Sequence, residues 1–312
     1  MKPKRFLKKL IIKLLRMIPY LRRLLDDRSR LIKLIEEIKF LPGHFYSPYP
    51  NINEVMAYRD NLFDPSIEEI AGIDLNTDTQ LYLLENFKKY STACPFATEK
   101  INGIRYYFNN NAYAYSDAFF YYCMLRHHSP ERVIEVGTGM SSCLLMDTNE
   151  LFFDGYIDYK FIDPYPNRFY SLTGESKESL GNSVIHEKIQ NVELEFFRSL
   201  NENDILFIDS THVSKIGSDV NYICFEILPV LKEGVIIHFH DIFYPFQYPE
   251  EWIRSHIAWN ELYLLRAFLE YNEKFRIIFW NHYLTMRYPN DIYNTFPNYE
   301  KNTGGSIWLK KL

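Results

Sequence analysis

Cysteine is scarce in this chain of 312 residues, with only Cys94, Cys123, Cys143 and Cys224. No two stand at CxxC spacing and no Cys/His spacing suggests zinc, so neither a disulfide framework nor a structural zinc site is expected. A chain of this length builds its core without covalent staples, and its thiols fit a reducing, cytoplasmic compartment. Glycine is also sparse, at 12 residues, so a glycine-containing turn stands out. Long apolar runs are missing as well, since no uncharged stretch reaches the roughly 20 residues of a membrane span. The longest, Phe40 to Asn53, contains three prolines. Lys13 and Arg16 interrupt the apolar part of the N-terminus and no small-residue cleavage site follows, so no secretory leader is expected.

Acidic residues are absent from positions 1–25, which carry nine basic ones: Lys2, Lys4, Arg5, Lys8, Lys9, Lys13, Arg16, Arg22 and Arg23. The whole chain is at −5, so removing those nine positive charges leaves −14 on the remainder. An acidic body argues against a nucleic-acid partner. Phe6, Leu10, Leu14 and Ile18 recur at about one helical turn, with Leu7, Ile11 and Leu15 beside them. This predicts an amphipathic basic helix through residues 3–40, bent or restarted at Pro19. Two uses fit it. One is a peripheral contact with an anionic membrane surface at the inner face. The other is packing on its own domain or on a second subunit of a homo-oligomer.

Leu41-Pro42-Gly43 closes this first segment, 1–41. Residues 42–130 read as a helical and loop cap region, with helical patterns at 52–60, 77–91 and 116–128. From 131 to 312 short apolar runs alternate with helical patterns. The runs are 132–136, 159–162, 183–186, 204–208, 234–239, 275–280 and 306–310. The main helices between them are expected at 140–153, 192–200, 215–231 and 258–271. Strands alternating with helices predict an α/β fold, a doubly wound, mostly parallel seven-stranded sheet with an N-terminal helical extension.

The first run ends in Glu135-Val136-Gly137-Thr138-Gly139-Met140-Ser141-Ser142. Glycines here let the backbone turn sharply into a helix and approach a ligand. Glu135 stands where a nicotinamide-binding strand is usually still apolar, and Ser142 takes the place of the third glycine of GxGxxG. Asp163, at the end of the second run, is placed to accept hydrogen bonds from ribose hydroxyls. An acid at each strand end suits a nucleoside with a cationic tail. These features resemble class I S-adenosylmethionine-dependent methyltransferases over residues 131–312. The resemblance implies a cofactor site on Glu135, Gly137, Thr138, Gly139, Ser142, Asp163, Gln190 and Asp209. Glu135 would serve the methionine side, Asp163 the ribose, and Ile189–Gln190 the adenine.

Three stretches are similar to a bacterial subfamily linked to saccharide and secondary-metabolite methylation. They are Phe161–Tyr165, Phe207–Asp219 and His238–Tyr244. The implied reaction is O-methylation of a saccharide or small-metabolite hydroxyl. Asp209 and His212 end the fourth run, and His238, His240 and Asp241 end the fifth, where a sheet of this kind lines its ligand crevice. Histidine, with a free pKa of about 6.5, is the natural group to take a hydroxyl proton near neutral pH. His212 is the first candidate base, His240 the second, and Asp209 and Asp241 orient base or acceptor. Asp209 and Asp241 also match the acids that hold magnesium in catechol- and macrocin-type O-methyltransferases. His240 and Ile242 flank Asp241, however, so the second oxygen ligand of that pattern is missing. Asp209 and Asp241 therefore read either as metal ligands or as cofactor-end and loop-capping groups. His240 reads either as a pocket group or as a satisfied core histidine. The aromatic segment 243–249 with Trp252 reads as an acceptor wall or as cover for the sheet. The competing functional class is a non-catalytic nucleotide-binding or assembly protein on the same fold.

Overall fold

A computed structural model describes residues 11, 15, 17–64 and 66–312. It divides into two compact units, Met1–Arg59 and Asp60–Leu312. The first holds helix α1, Pro19–Glu37. Pro19 is its first residue, where a fixed φ helps and no N–H is needed, so the expected bend is a start. Leu24, Leu31, Ile32 and Ile35 of α1 are exposed. Among the described residues no helix is long and apolar enough to cross a membrane. Lys2, Lys4, Arg5, Lys8, Lys9, Lys13 and Arg16 of the basic head lie outside the described residues.

In the second unit, residues 60–130 fold with the sheet. Helix α2, Thr77–Ser91, is tied to the edge strand Phe275–Trp280 by Gln80, whose buried Oε1 accepts from Trp280 N at 2.7 Å. Helix α3, Tyr115–His128, is buried from Tyr115 through Leu125. The division after Arg59 therefore differs from the segment boundaries expected at 41 and 130.

The strands are β1 (Arg132–Val136), β2 (Asp158–Ile162), β3 (Val184–Ile185), β4 (Ile205–Ile208), β5 (Ile236–Phe239), β6 (Phe275–Trp280) and β7 (Ile307–Lys311). They form one sheet in the order β3-β2-β1-β4-β5-β7-β6. β1 to β5 are parallel, and β7 runs antiparallel to both β5 and β6. This is the seven-stranded, mostly parallel arrangement expected. All four residues of β4 are buried, as a central parallel strand covered on both faces requires. Glu135 is the exception in β1, a carboxylate with no exposure at all.

The chain adds β2 and β3 on one side of β1, then returns to add β4 and β5 on the other. Loops that leave β1 and β4 diverge at this switch point and open a crevice at the strands' carboxyl ends. Two expected helices start late. The 215–231 helix begins at Asp219 and contains a π-helical turn, Ile223–Ile227. The 258–271 helix begins at Glu261 and is α4 here, Glu261–Leu269. Both delays leave residues free to build the site.

Candidate active site

A cleft of about 390 Å³ lies over the ends of β1, β2 and β4. Gly137, Asp163, Gln190 and Asp209 line it, together with Tyr165, Lys188, Thr211 and Asp219. Gly137 has φ +90°, and a Cβ there would stand 2.3 Å from the Asp209 carbonyl oxygen. Its N–H donates to Ile162 O at 3.0 Å while Asp209 N donates to Val136 O at 3.0 Å. Only glycine closes this three-strand junction and leaves the backbone flush with the cleft.

Asp163 Oδ1 accepts from Tyr165 N at 2.7 Å, and the Thr138 hydroxyl donates to Oδ2. The Gln190 amide donates to Gly217 O at 2.9 Å. Glu135, Thr138, Gly139 and Ser142 are not part of the cleft lining. They build the turn behind it: Ser141 and Ser142 hydroxyls each donate to Glu135 Oε1 at 2.7 Å, and Gly139 N donates to Ser142 Oγ at 3.0 Å. Glu135 Oε2 is buried without a partner. Burial pushes this carboxyl up to about 8, against the pull of the two serines. The glycine junction and the unpartnered Glu135 oxygen fit the nucleoside cofactor implied by the resemblance.

Asp219 has a different task from the helix capping that its position suggests. Ser218 is the N-cap, accepting from Asn221 N at 3.2 Å. The Asp219 carboxylate instead accepts from Thr211 N at 2.9 Å and Thr211 Oγ1 at 2.6 Å, which folds the β4 loop against the cleft.

His212, His240, Asp209 and Asp241 converge beside that loop. His212 Nε2 lies 3.3 Å from Asp209 Oδ1 and 3.6 Å from Asp241 Oδ2. His240 Nδ1 lies 3.5 Å from the same Asp209 oxygen and 3.6 Å from the same Asp241 oxygen. Two further carboxylates, not anticipated from sequence, stand behind the imidazoles. Glu261 Oε2 is 2.8 Å from His212 Nδ1, and Asp117 Oδ2 is 3.6 Å from His240 Nε2. His212 and Asp241 both hold φ +59°, a left-handed conformation that is rare outside glycine and often marks a functional site.

Burial opposes a charge on His212, but hydrogen bonds to Asp209 and Glu261, with Asp241 nearby, carry it up to about 10. Burial likewise opposes a charge on His240, and Asp241, Asp209 and Asp117 raise it well above its ordinary value. Burial would lift Asp209, yet the two histidines hold it well below the usual carboxylate range. Asp241 goes the other way, raised by burial despite the same histidines.

His238 belongs to the core. It stacks on Phe207 at 3.9 Å and meets Trp308 at 4.6 Å, and burial lowers its pKa well below the ordinary value. Part of the aromatic segment covers the core. Tyr244, Phe246 and Tyr248 are buried. Phe243 packs on Trp252 at 5.1 Å, Trp252 on Trp259 at 5.2 Å, and Trp259 on the His212 ring at 4.3 Å. The magnesium expectation does not fit the donor set. The Asp209 and Asp241 oxygens face imidazole nitrogens rather than further oxygens. Among the described residues no group of three or more His, Cys, Asp or Glu is arranged to hold a metal ion.

Residues 134–242 match the family model of a methyltransferase domain. An uncharacterised protein of Archaeoglobus fulgidus is 36% identical over 169 residues, which span 53% of this chain and 76% of that protein. Among solved structures, the SAH-bound Podospora anserina methyltransferase PaMTH1 aligns over 88% of this chain and 99% of its own, at 13% identity and a TM-score of 0.40.

Proposed function

The chain belongs to the same family as the Archaeoglobus fulgidus protein and carries a methyltransferase domain, and on that premise we propose that it methylates an oxygen, a hydroxyl of a saccharide or small metabolite. Asp209 is the observation that carries this reading. It lines the cofactor cleft and also touches both candidate bases, which joins a nucleoside site to a proton-handling site. Bound S-adenosylmethionine supplies a methyl carbon made electrophilic by its sulfonium.

The chain's own residues do the rest. The Gly137 turn brings backbone against the cofactor, Asp163 accepts from the ribose hydroxyls, and Gln190 borders the base. Glu135 holds the turn behind the cleft through Oε1. His212 takes the acceptor proton at Nε2, with His240 as second candidate, and Asp209 and Asp241 orient that base and the acceptor. Phe243, Trp252 and Trp259 form an apolar wall beside His212, suited to the C–H face of a sugar ring.

The test is transfer of a labelled methyl group from S-adenosylmethionine to a panel of neutral sugars and small alcohols. Label appearing on a panel compound is the expected result. Cofactor binding with no transfer to any of them favours the non-catalytic class.

A further inference from the structure

A buried carboxylate is costly unless it is paired, and Glu261 is 1% exposed at the start of α4. Both of its side-chain partners lie in the loop after β4. Its Oε1 accepts from Ser210 Oγ at 3.0 Å, and its Oε2 lies 2.8 Å from His212 Nδ1. The surrounding segment grips the same loop by its backbone. Asn260 N and Glu261 N donate to His212 O at 3.0 and 3.2 Å. The Asn260 side chain accepts from Ser214 N at 2.6 Å and donates to Ser214 O at 3.2 Å. Trp259 covers the imidazole face.

We propose that Glu261 is the positioning residue for His212: its carboxylate holds Nδ1, so that Nε2 alone faces Asp209, Asp241 and the acceptor. This rests on the reading of His212 as the base. Glu261 and Asp209 can only accept, so the charged ring carries hydrogen on both nitrogens; the shorter contact, 2.8 Å to Glu261 against 3.3 Å to Asp209, keeps the hydrogen on Nδ1 when the ring loses a proton, and Nε2 is the atom that then takes the acceptor proton. The left-handed backbone of His212 persists only where its surroundings over-determine it, and the 259–261 segment supplies that restraint. The groups facing His212 are Asp209 and Asp241 from the ends of β4 and β5, Glu261 from α4, and His240 across the two aspartates. The carboxylate behind His240 stands farther off, Asp117 being 3.6 Å from its Nε2.

Glu261→Gln separates position from packing. The amide has the same shape but no charge, so its oxygen holds the Nδ1 hydrogen too weakly for a far-downfield shift, or its NH2 drives that hydrogen to Nε2. The full chain, labelled with ¹⁵N-histidine and saturated with S-adenosylhomocysteine, should show a far-downfield Nδ1–H resonance, assigned by its loss in His212→Ala. In Glu261→Gln this resonance should disappear. With labelled S-adenosylmethionine and the panel sugar that turns over fastest, kcat should fall on the order of 100-fold while KM for the cofactor stays unchanged. Glu261→Asp should fall between the two. An unaltered kcat in Glu261→Gln, or absence of the wild-type resonance, overturns the proposal. Loss of activity in His212→Ala alongside a fully active Glu261→Gln overturns this proposal alone; a fully active His212→Ala overturns the base reading beneath it. If no panel compound turns over, the methyl-transfer reading fails, and the resonance still decides whether Glu261 holds His212. Should Glu261→Gln fail to fold, Ser210→Ala removes one carboxylate partner and keeps the charge. It should then lower kcat by a smaller factor, and no change counts against Glu261.

Discussion

An isolated imidazole is mostly uncharged at pH 7, but His212 is boxed in by Asp209, Asp241 and Glu261 and stays protonated there. A protonated ring cannot accept a proton, so turnover should climb with pH mainly above pH 8, toward the value of about 10 that its surroundings impose. A rate that saturates by pH 7 contradicts His212 as base. His212→Ala should keep cofactor affinity and lose roughly 10²–10⁴-fold in turnover. At Gly137 the prediction concerns the backbone. Gly137→Ala forces a side chain onto the Asp209 carbonyl at positive φ and should cost about 3 kcal/mol, read as a melting temperature lower by roughly 5–10 °C. Residue types at strand ends were legible in sequence, which is why Asp209, His212, His240 and Asp241 could be named together. Glu261 was not, because 49 residues separate it from His212 and its approach depends on how the chain packs.

Among the elements, strands whose apolar runs end at charged or turn residues were legible almost to the residue, as in β1 and β6. Helix starts were less so. Gly217, Ser218 and Asn260 are poor helix formers, and side-chain bonds claim two of them: the Ser218 hydroxyl caps a turn, and Asn260 brackets Ser214. Propensity is a weak prior against such partners. Helix α1 poses the open functional question at this scale. We propose that the basic N-terminal segment holds the chain to anionic lipid, because exposed apolar residues on α1 adjoin a run of Lys and Arg. The full chain should then co-sediment with phosphatidylserine vesicles and be released by salt. Deletion of residues 1–25 should abolish sedimentation and leave cofactor affinity unchanged. Equal sedimentation of both forms points to packing or to a subunit contact.

For the whole molecule, the buried acid–base groups give a signed pH dependence of stability. Glu135 is raised from 4.5 to about 8 on folding, so the native state keeps a proton that the unfolded chain releases. Its contribution is full below about pH 4.5 and is lost as pH rises to 8. His212, also raised, contributes below its unfolded value near 6.5 and loses that contribution as pH rises toward 10. Asp209 and Asp117 are lowered and act only at acid pH, where their protonation destabilises the fold. Below about pH 6.5 the buried His128, His238 and His282, all lowered, oppose this trend, so the unliganded protein should melt at progressively lower temperature from about pH 6.5 to pH 10. Glu135→Gln should flatten the part from about pH 6.5 to 8, and an unchanged slope in that variant contradicts this assignment. Net charge and composition show an acidic body, but not that four of its carboxylates surround two histidines.

The cleft over β1, β2 and β4 is proposed as a nucleoside cofactor site whose ribose acceptor is Asp163. Isothermal calorimetry with S-adenosylmethionine tests this without any knowledge of the acceptor. Wild type and His212→Ala should bind with equal affinity, and Asp163→Ala should bind at least about tenfold more weakly, one lost hydrogen-bonded contact to a charged group being worth about 1.5–3 kcal/mol. Folded wild-type protein that binds neither S-adenosylmethionine nor S-adenosylhomocysteine, or an Asp163→Ala variant that binds as wild type does, would contradict it.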